Sequence, residues 1–483
     1  MRPTTLDRAG LAALCIGLVL FKAWLVRAAG FDLHYDEAQY WEWSQQLDWS
    51  YYSKGPLVAW LIALSEFLFG HGDWQIRLPA WIAHAAQLVL VFHFALDVWH
   101  DRAAAWWAVV IMLLTPLYFT LGLVMTTDVW LFLFWTWGLW ACYRALCLAR
   151  SNAWLEAGIA TGLGTLTKLS IGLLPAFVAV AVLLRPQWRR QLASPQLWLG
   201  VCLMLVLMSP VVIWNASHDW VMLRHEQGHL QHTAWSLGSA AEFTAGQLFA
   251  LSPLVVVLMV MELRRPPRDS GQFLLWLLTL AWFGFFLLKS LGAKVQLNWA
   301  APSYIGMLIL LAGHVPGMSP GRRRLLYAGF MTSLLMMAVA FFPIQFGLTG
   351  KRIPFREARG WAAPVQALAA RAGPVDFIMT GTYSLAAELA AYWPRRIPVY
   401  IYGDGRRYNQ HDLWPGPERE QGRNGLWVGA SPDMPARLED AFAGCRDRPA
   451  ITARAQDGSR LRTLYSRQCA DYRAIDWPRP SHF

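Results

Sequence analysis

Apolar residues in this chain come in long blocks separated by short polar connections, so block length decides what they form. A helix crossing the hydrocarbon core of a bilayer needs roughly 17 to 25 mostly apolar residues. Blocks near that size lie at residues 9–28, 76–98, 103–121, 129–148, 153–166, 169–184, 196–214, 244–262, 272–289, 299–313 and 325–346. The pattern predicts a polytopic α-helical membrane protein with about eleven transmembrane helices. The fifth and sixth blocks are short and read equally well as one re-entrant pair.

The pattern changes after Gly347, where charges, prolines and glycines spread through the sequence. Short apolar runs at 375–379, 399–402 and 426–429 predict strands, and stretches at 383–392 and 435–443 carry helical spacing. The expected division is a membrane domain over residues 1–349 and a small C-terminal α/β domain over 350–483. No repeat of fixed period and no low-complexity tract is present.

Orientation follows from the arginines. Arg2, Arg8, Arg102, Arg144, Arg150, Arg185, Arg189, Arg190, Arg264, Arg265, Arg268 and the run Arg322-Arg323-Arg324 fall in alternate connections, which the positive-inside rule assigns to the cytoplasm. The other connections are then external, and so is the tail. The external set contains a long loop at 29–75, the turn at 126–128, Lys168, the loop at 215–242 and the turn at 289–298.

Composition supports the membrane reading and removes one class of partner. Hydrophobic residues make up 56% of the chain, charged residues only 15%, and 28 tryptophans exceed what a soluble core requires. The net charge of +11 reflects the arginine asymmetry and the polar tail, which points to anionic membrane lipids as partners and not to nucleic acid. The first block follows Arg2 and Arg8 but is longer than the core of a cleaved signal peptide, so an uncleaved signal-anchor is expected. Cys15, Cys142, Cys147 and Cys202 lie in apolar blocks as small hydrophobes, whereas Cys445 and Cys469 are the only pair in the tail and suit a disulfide in an oxidising compartment.

Candidate chemistry concentrates in the external connections. Asp36-Glu37 follows the first span closely, and Glu37, Tyr40, Trp41 and Ser44 then recur at helical spacing, so an interfacial helix starts at Asp36. A carboxylate at a helix start stays ionised, which suits a general base and equally suits a cap. Lys54-Gly55-Pro56 ends that helix, and a second interfacial stretch runs over 57–69; the Lys54 ammonium reads either as a snorkelling group or as a phosphate ligand. Asp128, after Thr126-Thr127, is a helix cap or a site residue, and Lys168 is an ionisable group between two apolar blocks, the kind of residue that marks function in a membrane. His218 begins a histidine-rich stretch in which His225 and His229 share a helix face with Glu226 between them, a divalent-metal candidate that lacks a full ligand set. Lys289, Lys294 and Asn298 would add to a basic external patch of the kind a lipid-linked phosphate requires.

Taken together, Tyr35-Asp36-Glu37-Ala38 with Tyr40-Trp41, Tyr52-Ser53-Lys54-Gly55-Pro56-Leu57, Thr127-Asp128, Gly162-Leu163-Gly164 through Lys168, Trp214-Asn215 with His218-Asp219-Trp220, and Asn298-Trp299-Ala300-Ala301-Pro302 resemble a known family. In the tail, Arg359-Gly360-Trp361, Ala386-Ala387-Glu388-Leu389, and Tyr408-Asn409-Gln410 with Asp412-Leu413-Trp414 fit the same pattern. The family is the bacterial GT-C glycosyltransferases that use polyprenyl-phosphate sugars, related to protein mannosyltransferases and the lipid A aminoarabinose transferase. The resemblance implies inverting sugar transfer on the periplasmic face of the bacterial inner membrane. It also implies Asp36 as catalytic carboxylate, and Lys54 and Lys168 on the donor phosphate. Glu37, Asp128, His218, Lys294 and Asn298 are the further substrate-binding candidates. The implied partners are a polyprenyl-phosphate-linked sugar and a lipid or glycan acceptor such as lipid A or lipopolysaccharide core. Two positions depart from the pattern: Ser53 stands where aminoarabinose-type enzymes carry a metal-binding glutamate, and Gly55 replaces a common proline. A transporter or lipid flippase is the rival class, since it also places charges at membrane depth. It gives no reason for an aromatic, acidic external loop or a folded tail.

Overall fold

The computed structural model describes residues 2–230, 235–403 and 405–480, the side chains of residues 229 and 230 excepted. In chain order the helices are α1 (Thr5–Ala28), α2 (Tyr35–Ser44), α3 (Leu57–Phe69), α4 (Asp73–Trp99), α5 (Arg102–Leu113), α6 (Pro116–Leu121) and α7 (Thr127–Cys147). Then come α8 (Ala153–Thr165), α9 (Leu173–Leu184), α10 (Pro186–Arg189), α11 (Pro195–Ser217), α12 (Val221–Leu230), α13 (Leu237–Leu251) and α14 (Pro253–Leu263). The last helices of the apolar part are α15 (Ser270–Ser290), α16 (Ala301–His314) and α17 (Pro320–Phe341). The tail holds α18 (Ala362–Ala372), β1 (Phe377–Thr380), α19 (Tyr383–Tyr392), β2 (Val399–Ile401), β3 (Gly425–Gly429), α20 (Ala436–Glu439), β4 (Phe442–Arg454) and β5 (Arg460–Tyr472).

The apolar blocks are helical, but fewer helices qualify as single membrane crossings than the block count suggests. Among the described residues, α1, α4, α11, α15 and α17 are long and apolar enough to span, and two bent pairs raise the number to seven. The bends have local causes. Block 244–262 turns by 107° between α13 and α14, where Ser252 adopts φ 77° ahead of Pro253. Block 103–121 divides at Leu114 and Thr115 because Pro116 cannot continue the preceding ladder.

The chain divides into two compact units. One comprises Met1–Trp24, Lys54–Val58 and Arg77–Met337, and the other Leu25–Ser53, Ala59–Ile76 and Ala338–Phe483. In the first unit Lys22, fully buried within α1, donates to the Gly122 carbonyl at 2.6 Å and lies 2.6 Å from His84 Nδ1. A lysine buried that deeply is tolerated because the carbonyl at the end of α6 accepts from its amine.

The second unit is built on a five-stranded sheet of order β2-β1-β3-β5-β4. β1 runs parallel to β2 and β3, while β5 is antiparallel to β3 and β4. The three expected strands and α19 are present at the expected places. The stretch 435–443 is different: its helix is only the single turn α20, and Phe442 already begins β4. β4 and β5 pair Cys445 directly with Cys469, and the two form a disulfide.

Candidate active site

In the second unit the helix carrying Asp36 is capped without it. α2 starts at Tyr35, one residue before the expected position. The His34 ring accepts from the Asp36 backbone N–H at 3.2 Å, and the Glu37 carboxylate accepts from the His34 N–H at 3.0 Å. These two contacts form a complete reciprocal cap. Asp36 therefore does not fill the capping role that competed with catalysis. Its side chain is 40% exposed and lies 3.7 Å from His34 Nδ1, whereas Glu37 is fully buried. The predicted face of Glu37, Tyr40, Trp41 and Ser44 is buried throughout. The helix ends at Ser44, well before Lys54-Gly55-Pro56, because Ser44 Oγ and the Gln45 amide turn back onto the Trp41 carbonyl.

Tail residues surround the same helix. The Tyr35 ring meets Tyr383 edge-on at 6.2 Å, the Tyr52 N–H donates to the Gln410 side chain at 2.8 Å, and His411 pairs with Glu42 at 3.2 Å. Burial and the Asp36 charge push the Tyr35, Tyr52 and Tyr383 hydroxyls above the usual phenol range, while Arg407 pulls Tyr52 and Tyr383 back. Asp36 thus acts on three neutral phenols, two of which also feel the Arg407 guanidinium. Sequence reasoning did not single out Tyr383 or Arg407. Arg407 is adjacent to the Tyr408-Asn409-Gln410 motif, and that adjacency was the available signal.

The first unit assembles a second cluster. Thr126 caps α7 by accepting from the Asp128 N–H, so Asp128 is likewise not the cap. Its carboxylate takes Lys168 Nζ on one oxygen at 2.9 Å and the Asn298 amide on the other at 2.9 Å. Lys54 pairs with Glu226 at 3.6 Å, and Lys289 lies 4.4 Å from the Trp299 ring centre. The Lys54 and Lys168 connections are stitched together by the Leu57 N–H on the Leu166 carbonyl at 2.9 Å. Gly55 makes that approach feasible, because a Cβ there would stand 2.3 Å from the Leu166 oxygen. The glycine that departs from the family pattern has a steric reason in this chain.

The remaining candidates are less engaged. His218 stacks on Trp214 at 4.0 Å and shares its Nδ1 with the Trp214 carbonyl at 2.8 Å, ending α11. Lys294 is exposed. His225 is buried, Glu226 is committed to Lys54, the His229 side chain and all of His232 lie outside the described residues, and no group of three or more potential metal ligands occurs among those described. At the position of the relatives' metal-binding glutamate, buried Ser53 offers only a hydroxyl, so the donor set does not fit a divalent ion and no step is assigned to one.

Known proteins resemble this chain in sequence and in fold. The family model described as dolichyl-phosphate-mannose-protein mannosyltransferase matches residues 53–214. The lipid A galacturonosyltransferase RgtD of Rhizobium johnstonii is 29% identical over 394 residues, covering 79% of this chain and 82% of that protein. The undecaprenyl phosphate-alpha-4-amino-4-deoxy-L-arabinose arabinosyl transferase of Erwinia tasmaniensis is 26% identical over 291 residues, 56% of this chain and 50% of that protein. In fold, the crystal structure of ArnT from Cupriavidus metallidurans bound to undecaprenyl phosphate superposes with a TM-score of 0.69 at 19% identity, covering 95% of this chain and 98% of that one. In sequence and in fold this chain is similar to the GT-C glycosyltransferases. It shares the membrane-protein fold of ArnT, mostly helical, with five to seven long apolar helices and one small sheet among the described residues.

Proposed function

We propose that this enzyme transfers a sugar, with inversion, from a polyprenyl-phosphate donor to lipid A or another envelope saccharide at the periplasmic face of the bacterial inner membrane. In this reading the chain crosses the membrane about eleven times, the shorter helices included, and residues 350–483 form a periplasmic domain. The observation that carries it is the start of α2, where His34 and Glu37 provide the cap and Asp36 is a partly exposed carboxylate whose charge acts on Tyr35, Tyr52 and Tyr383.

The chemistry suits such a set of groups. A sugar on a lipid phosphate already has a good leaving group, so the enzyme's task is to stabilise the charge that develops on the phosphate. Lys54 and Lys168 take that role. Both are held by carboxylates, Glu226 and Asp128, until the donor phosphate competes for the ammonium groups. Attack from the opposite face of the sugar requires a positioned hydroxyl, whose proton passes to Asp36 as the carbon–oxygen bond forms. Glu37, His218, Lys294 and Asn298 are assigned to substrate binding, Asn298 through its hold on Asp128.

The test is incubation of purified full-length protein with radiolabelled polyprenyl-phosphate sugar and extracted envelope lipids. Label appearing on lipid A or a core saccharide is the expected result. Movement of the intact donor across a vesicle membrane without sugar transfer would favour the flippase reading.

A further inference from the structure

A separate cavity of about 810 Å³ lies within the first unit, where the α14–α15 and α16–α17 connections meet. Its charged lining comprises Glu262, Arg265, Arg268, His314 and Arg322, with Gln272 beside them. Glu262 is buried and takes Arg265 at 2.9 Å and His314 at 2.8 Å, which accounts for the negative charge in the cavity. Arg268 and Arg322 pair with no carboxylate among the described residues. Asp269, the chain neighbour of Arg268, accepts from the Gln272 N–H at 2.8 Å as the cap of α15. The cavity is therefore a pre-formed cationic concavity, and its surplus guanidiniums come from two separate places, Arg268 from the α14–α15 connection and Arg322 from the first turn of α17.

The helices that form it expose apolar side chains within one to three turns of the charged ring. Val257 and Val260 of α14 and Tyr327, Met331 and Leu334 of α17 are all more than one-third exposed. A soluble anion would have no use for such a flank, whereas acyl chains would cover it while the headgroup entered the cavity. Guanidiniums match phosphate oxygens in planar, two-pronged geometry.

We infer that this cavity binds the phosphate-bearing headgroup of an anionic membrane phospholipid, at a site distinct from the groups assigned to sugar transfer. The arginines concerned belong to the set that the positive-inside pattern places on the cytoplasmic side, so the lipid would come from that leaflet.

The experiment uses full-length protein in phosphatidylcholine nanodiscs, with phosphatidylglycerol added and retained lipid counted by native mass spectrometry. The double variant Arg268→Gln/Arg322→Gln should retain phosphatidylglycerol about 30-fold more weakly, from loss of two cations at the headgroup. The variant Arg268→Lys/Arg322→Lys should keep most of it and so separates loss of charge from loss of fold. Sugar-transfer rate in phosphatidylcholine alone should be the same for wild type and both variants. Equal retention by wild type and the Gln variant would overturn the inference. So would saturable binding of inorganic pyrophosphate that depends on these arginines while phosphatidylglycerol does not bind, since the ligand would then be a soluble anion.

Discussion

At the residue scale, what distinguishes the candidate carboxylates is which of them the helix starts already use. Asp36 and Asp128 both occupy first-turn positions where a cap is the inexpensive explanation, yet His34 and Thr126 do the capping. The two lysines differ in a measurable way. Lys54 and Glu226 are 18% and 39% exposed, so Lys54→Met should cost no more than about 1 kcal/mol in stability while weakening donor binding. Lys168 and Asp128 are 14% and 9% exposed at 2.9 Å, and Lys168→Met leaves the Asp128 carboxylate with the Asn298 amide but no cation, at about 3 kcal/mol. Donor titration alongside thermal unfolding checks both, and undiminished donor affinity in the Lys54 variant would remove that residue from the phosphate site.

At the element scale, α19 supplies a pH-dependent test. Glu388 is fully buried on that helix, and neither carboxylate oxygen has a hydrogen-bond partner among the described residues. Burial raises its pKa well above the ordinary carboxylate value; Arg462 opposes this and Asp32, Glu37 and Asp73 add to it. The folded state therefore holds a proton that the unfolded chain has already released. Stability falls as pH rises above about 4.5 toward the folded pKa, because in that window the native state binds more protons. Glu388→Gln keeps the shape without the charge and should flatten this loss, raising the melting temperature at neutral pH relative to wild type. An unchanged pH profile would mean that Glu388 is not protonated in the fold. The apolar helices, α3, α19 and the first three strands were legible in the sequence because block length, turn residues and alternation agree there. β4 and β5 were not, because three arginines on β5 and a Pro449 bulge region on β4 hide the alternation. The reciprocal cap by His34 was equally hidden, since histidine is not among the usual cap residues.

At the scale of the whole molecule, the proposal depends on the tail facing the periplasm, where the Cys445–Cys469 disulfide would persist. A reporter fused after Phe483 that works only in the cytoplasm should be silent, and strong signal would reverse the orientation assigned to every loop. The Asp128–Lys168–Asn298 contact joins residues from three distant parts of the sequence, and only the folded chain reveals it. The central claim is that Asp36 takes part in the chemistry. Single-turnover sugar transfer by purified Asp36→Asn, measured beside donor binding, tests it most directly. Because His34 and Glu37 keep the cap, folding and donor affinity should stay close to wild type, while transfer falls by about 10² to 10⁴ for loss of a general base. Turnover near that of wild type would contradict the account and make Asp36 a structural residue.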